Sequence, residues 1–179
     1  MAYAVIRTDL MSGTKQPADL VSLRFYDASG NKAEVENGVI VKLQGYEDGE
    51  REVMKAVAAS AGDDLNDCAI VAAPEVMYDE RKKNLDEFIN EAGKATRGYI
   101  PRSRNVFSVT KEGFVGGTAP TKGAEVGIGT GGKIDAAGKG LGACVDVEVV
   151  GRYTYYVIKI GKTEGASATC LLYTSDAAD

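Results

Sequence analysis

A two-residue turn constrains this chain more than any other feature. Gly151-Arg152 separates Val145–Val150 from Tyr153–Ile160, two runs rich in β-branched and aromatic residues. A two-residue loop with glycine first suits a type II′ turn, whose twist matches that of paired strands. The register that follows puts Val145, Val147, Val149, Thr154, Tyr156 and Ile158 on one face of the hairpin. Asp146, Glu148, Val150, Tyr153, Tyr155 and Val157 take the other. The first face reads as core. The second is a tyrosine–carboxylate surface, equally readable as a contact face or as a plain solvated sheet face. With 22 glycines and only 4 prolines, the rest of the chain is suited to tight turns of the same kind.

Further strands follow from alternation. Leu20 to Tyr26 puts Val21, Leu23 and Phe25 on one side and Ser22, Arg24 and Tyr26 on the other. Asp27 to Asn31 is a turn by composition. Lys32–Glu36 and Val39–Leu43 read as a hairpin with the three-residue loop Glu36-Asn37-Gly38. That register pairs Val35 with Val39 and Ala33 with Val41, and puts Gly38 in the left-handed position a glycine fills without a Cβ clash. Glu52–Ala59, Cys68–Ala72, Asn105–Thr110, Glu125–Ile128 and Lys133–Ala136 are the remaining strands. One segment reads as a helix: Asp79 as N-cap, Leu85, Phe88, Ile89 and Ala92 as one apolar stripe, and Gly93 as C-cap. The expected fold is therefore mainly β (α+β), with antiparallel hairpins forming a sandwich or barrel and one amphipathic helix near residues 79–92. Residues 1–18 read as an N-terminal arm that docks on a neighbour or adds an edge strand to its own sheet. Residues 19–169 read as a β-rich domain, divisible into two subdomains meeting near 94–104.

The C-terminal segment Cys170–Asp179 stands apart. It is what TGT CTC TTA TAC ACA TCT GAC GCT GCC GAC encodes, and that string resembles a transposon-end adaptor used to fragment DNA for sequencing. The chain is accordingly expected to be an open reading frame from a shotgun assembly that runs into adaptor near Thr169, so that the native C-terminus is not read from it. Without this tail the 26 acidic residues become 24 against 21 basic ones, since the tail holds Asp176 and Asp179 and no base. A mildly acidic protein is not a general nucleic-acid binder.

Composition also excludes much chemistry. The sequence has no histidine, so the usual general base and the commonest metal ligand are missing. Cys68 and Cys144 sit singly in apolar runs and read as buried reduced thiols. Gly127-Ile128-Gly129-Thr130-Gly131-Gly132 matches G-x-G-x-x-G, and with Lys133 it imitates a phosphate-binding loop. No helix-forming run follows it, however, and Ile134 stands where a hydroxyl should hold magnesium. Asp63, Asp64, Asn66 and Asp67 lack the spacing of a calcium loop. No catalytic residue, metal or cofactor is expected, and no apolar run reaches the length of a membrane span. One asymmetry remains. Lys94, Arg97, Arg102, Arg104 and Lys111 form a basic stretch without an acid, interleaved with Tyr99 and Phe107. The candidate interface residues are Tyr3, Val5, Arg7, Arg97, Tyr99, Arg102, Arg104, Tyr153 and Tyr155.

Three segments carry a family resemblance: Met1-Ala2-Tyr3-Ala4-Val5-Ile6-Arg7-Thr8-Asp9, Glu34-Val35-Glu36-Asn37-Gly38-Val39-Ile40-Val41-Lys42-Leu43, and Arg97-Gly98-Tyr99 continuing to Phe107-Ser108-Val109-Thr110. In these the chain resembles a virion structural protein of tailed bacteriophages, of the head-decoration or capsid-associated type. The resemblance implies a non-enzymatic protein that binds the capsid lattice. Its partner would be the major capsid protein or another virion protein, and it would be a homo-oligomer or lattice-bound. It would be located in the virion after assembly in the host bacterial cytoplasm, with no membrane and no nucleic acid as partner. The alternatives are a β-rich protein-binding module of non-viral origin, and a weak nucleic-acid binder acting through residues 94–111.

Overall fold

The computed structural model describes residues 2–11, 17–77, 81 and 84–161. Among the described residues eleven strands form two sheets. The first is a closed five-stranded barrel of β2 (Leu20–Phe25), β3 (Ile40–Tyr46), β4 (Val53–Ala58), β5 (Cys68–Val71) and β6 (Thr96–Tyr99), in the order β2-β4-β3-β5-β6. Only β2 and β4 run parallel; the other neighbours are antiparallel. The second is an antiparallel six-stranded sheet of β1 (Ile6–Leu10), β7 (Val106–Val109), β8 (Glu125–Ile128), β9 (Ile134–Asp135), β10 (Gly140–Val150) and β11 (Tyr153–Ile160), in the order β1-β7-β11-β10-β8-β9. Among the described residues no helix is long and apolar enough to cross a membrane.

Strand alternation explains how the two sheets share apolar surface. Leu23, Val35, Val39, Val41, Ala56, Ala69 and Val71 fill the barrel. Their neighbours Ile40, Cys68 and Ile70 point out of it, with Ala59, Ala72 and Tyr99, onto Phe107, Val109, Leu141 and Ile158 of the second sheet and Phe114 of the segment after β7. This is why β5 is an uninterrupted apolar run, for both of its faces are buried. Close approach selects glycine at two of these places. A Cβ on Gly98 would lie 2.6 Å from Leu23 Cδ2 and 3.0 Å from Ala69 Cβ inside the barrel. A Cβ on Gly132 would lie 2.1 Å from the carbonyl oxygen of Ile40, where the second sheet's loop meets the barrel.

Two expectations are corrected, and one open alternative is decided. No α-helix forms near 79–92 among the described residues; a single 3-10 turn, Leu85–Glu87, takes its place. The cause is long-range pairing. Phe88 is extended at φ −81°, ψ 135°, and Asn90 exchanges both backbone hydrogen bonds with Val35, at 3.1 and 3.0 Å. Residues 78–80 and 82–83, which include the expected cap Asp79, lie outside the described residues. The same pairing removes the Lys32–Leu43 hairpin. Val35 bridges Asn90 and Lys32 bridges Tyr26, so neither pairs with β3. The apolar face nevertheless survives, with Val35, Val39 and Val41 buried and Leu43 packed against them. Gly38 has φ +85°, the left-handed conformation its position calls for. Finally, the segment read as an arm holds β1, antiparallel to β7 with Ile6 opposite Val109. Pairing within its own sheet satisfies the backbone groups that face β7.

Buried asparagines fix the joint between segments. Asn37 is 1% exposed; its Nδ2 donates to Ala73 O (2.9 Å) and Glu75 Oε1 (3.2 Å), and its Oδ1 accepts from Ala73 N (3.0 Å). Asn90 Nδ2 donates to Asn37 Oδ1 (3.0 Å) and Val35 O (2.9 Å), while Thr96 Oγ1 donates to Asn90 Oδ1 (2.6 Å). The asparagines of the Glu-Asn-Gly segment and of the expected helix thus form one satisfied network.

Candidate functional site

The β10–β11 hairpin forms as the turn dictates. Val150 pairs with Tyr153, Val149 with Thr154, Glu148 with Tyr155 and Val147 with Tyr156. Gly151 has φ +61° and Arg152 does not have positive φ, as a type II′ turn requires. The register slips between Cys144 and Asp146, leaving Val145 as a bulge.

The hairpin outreaches its neighbours. β8 covers β10 only from Gly140 to Ala143, and β7 covers β11 only from Tyr156 to Lys159. The tip projects as a two-stranded ribbon. Val147 and Val149 continue the face of the fully buried Ile158, but they run past the core and are 39% and 73% exposed; Val150 is 49% exposed. These two valines were expected in the core, and the overhang puts them in solvent. The opposite face is also reversed: Tyr155 and Val157, expected on a surface, are buried. The Arg7 guanidinium lies over the Tyr155 ring at 5.0 Å, and the Tyr153 ring is 6.2 Å away.

The candidate residues divide accordingly. Val5, Tyr99 and Tyr155 are buried in the protein's own core and offer no contact surface. Val5 is held by Thr110, whose Oγ1 accepts from Val5 N at 3.1 Å. Tyr3 is half-buried, and its N–H donates to Asp86 O (2.9 Å). Arg7 pairs with Asp9 (3.0 Å) and Glu148 (3.3 Å). Arg102 reaches the buried carboxylate of Asp19 through Nε (2.9 Å) and Nη2 (2.8 Å). Arg97 and Arg104 are exposed, Arg104 at φ +73°. Tyr153 donates its hydroxyl to Asp86 Oδ1 (2.9 Å), and Arg152 grips the same carboxylate at 2.7 and 2.9 Å while lying 5.0 Å over the Tyr153 ring. Burial pushes the Asp86 carboxyl up, yet the Tyr153 hydroxyl, backbone hydrogen bonding and Arg152 outweigh it, and its pKa ends below the usual range. Burial, then the bond to Asp86, raises the Tyr153 phenol. Tyr3, Arg7, Tyr153 and Tyr155 therefore meet around Asp86 and Glu148 as an internal clamp. The residues the sequence reading missed are Val147, Val149 and Val150. Their signal was the length of β10, eleven residues beside a β8 of only four.

Motifs set aside earlier have structural roles. A Cβ on Gly127 would lie 2.5 Å from Lys139 N, and Lys133 Nζ binds Glu36 (3.3 Å) and the Glu112 carbonyl (3.0 Å). Asp63 pairs with Lys42 (2.6 Å), whose hydrogen bond lowers the Asp63 pKa. Among the described residues no group of three or more histidine, cysteine or carboxylate side chains is placed to hold a metal ion. No protein-family model, no curated protein and no solved structure matches this chain.

Proposed function

We propose that this protein is a non-enzymatic structural component of a bacteriophage virion that lies on the capsid lattice as a decoration or stabilising protein. The observation that carries the reading is the projecting ribbon, with Val147, Val149 and Val150 in solvent at the tip of an otherwise well-packed body. Apolar side chains grouped on a protruding element mark a contact site. A small contact suffices on a lattice, because repetition multiplies modest single affinities. Its partner is the major capsid protein or another virion protein. The nucleic-acid reading has less support, since Tyr99 is buried and Arg102 is engaged with Asp19.

The test is co-sedimentation of the full chain with capsid shells of the particle its genome encodes. V147S/V149S, two exposed changes that leave the core untouched, is expected to abolish co-sedimentation while the fold persists. Undiminished binding by that variant, or no binding by the unaltered protein, overturns the proposal.

A further inference from the structure

We propose that the outer edge of β10, from Val147 to Val149, is a strand-addition site for an extended segment of a partner protein whose residues alternate between apolar and basic. The inference rests on reading the ribbon as the contact surface and adds how the partner is held there.

The backbone supplies the first argument. Val150 and Tyr153 close the turn and bond each other, so alternate residues of β10 turn their N–H and C=O away from β11. Those residues are Val149 and Val147. At Cys144 the same edge is occupied, for Cys144 N donates to Ala124 O (2.9 Å) and Gly123 N to Cys144 O (2.7 Å). Beyond the bulge the neighbouring strand is gone, and among the described residues no strand pairs with this edge. The Asp146 carboxylate stands in for it at one point, accepting from Val147 N at 3.0 Å. Natural sheets blunt open edges with lysine, proline or a covering element. Lys122 reaches this edge only at Asp146, pairing with its carboxylate at 2.8 Å; at Val147 and Val149 the edge shows valines instead.

Side chains supply the second argument. Val147 and Val149 share one face, so a strand added there sets apolar residues against them. The other face carries Asp146, already paired with Lys122 at 2.8 Å, and Glu148, which is left for a partner to balance. Arg7 serves both Glu148 and Asp9, one cation for two carboxylates, and Glu75 lies near enough to act on the Tyr155 hydroxyl. A basic residue opposite Glu148 completes this charge balance. A second copy of the chain does not: the two-fold register that engages both valines sets Glu148 against Glu148, and like charges directly opposite destabilise a strand pair.

The experiment uses the full chain and two short synthetic peptides, one alternating lysine and valine, the other glutamate and valine. Hydrogen exchange at Val147 and Val149 and a binding isotherm are the readouts. The lysine peptide is expected to slow both amides and the glutamate peptide to leave them unchanged. E148K is expected to weaken the lysine peptide about fivefold and to reverse the preference. V149P removes only an outward N–H and is expected to abolish peptide binding, with exchange at Leu141 and Ile158 unchanged; should it unfold, E148K decides alone. Equal effects of the two peptides, or none, overturn the proposal. So do amides already slow without peptide, which would mean that the chain covers its own edge, and slowing that grows with protein concentration, which would mean a second copy. Loss of capsid binding in V147S/V149S without any peptide effect would refute strand addition and leave the lattice reading standing.

Discussion

Asn37→Ala tests the joint on which the barrel depends. Asn37 is 1% exposed and takes part in four side-chain hydrogen bonds, two with the Ala73 backbone, one with Glu75 and one with Asn90. The substitution strips the Ala73 N–H, the Ala73 carbonyl and one Asn90 amide proton of their partner. The Asn90 amide is buried and the Ala73 backbone half-buried; at about 1 kcal/mol for each hydrogen bond lost the total is about 3 kcal/mol. Against a total stability of roughly 5–15 kcal/mol this is a large fraction. In urea, where the slope is about 1–3 kcal/mol per molar, the midpoint should fall by about 1–3 M. Asn90→Ala removes part of the same network, so the double variant should cost less than the two single costs added, by about 1 kcal/mol. Equilibrium unfolding by circular dichroism measures all three. A cost for Asn37→Ala below about 1 kcal/mol, or strict additivity with Asn90→Ala, would refute the claim that these asparagines form one buried network.

Gly98→Ala should destabilise the protein by about 2 kcal/mol through overpacking of the barrel, because the new Cβ meets Leu23 and Ala69; an unchanged urea midpoint would contradict the packing described. The Asp86 carboxyl has a lower pKa folded than unfolded, so its clamp with Tyr153 and Arg152 contributes above the unfolded value of about 4 and is lost as pH falls through the folded value. Asp86→Asn should therefore lower stability at neutral pH and flatten the acid limb of a stability–pH series, and parallel limbs would contradict this. Burial pushes the Cys68 thiol up to about 11 and raises that of Cys144. In a Cys170→Ser background neither should react with a thiol reagent at pH 8 until urea unfolds the protein, and rapid native reaction would show that the core is open.

Most strands were legible because they are short, alternate and are bounded by glycine or aspartate; β6 (Thr96–Tyr99), broken by Gly98 within the basic stretch, was not. Leu20–Phe25, Val106–Val109 and the Gly151-Arg152 hairpin needed only local information. The mainly β fold class followed from them. A barrel was one of the two expected arrangements, but the choice between sandwich and barrel stayed open, since closure depends on parallel pairing of β2 with β4 across intervening chain. The expected helix shows why. Leu85, Phe88, Ile89 and Ala92 do have helical spacing, but Asn90 finds in Val35, fifty-five positions away, better partners than a helix offers. Long-range pairing overrode local preference. At the candidate site, tyrosine in a hairpin gave the wrong face. Whether Tyr155 or Val149 meets solvent depends on where β7 and β8 stop alongside the hairpin and on Arg7 folding over the ring, neither of which is written in the alternation.

A hydrogen-exchange footprint of the full chain, free and bound to capsid shells, bears most directly on the role assigned to the ribbon. Slowing confined to residues 145–154, with Arg97 and Arg104 unaffected, is the outcome expected. A footprint centred on residues 94–111, with the ribbon exchanging as fast as in the free protein, would contradict it.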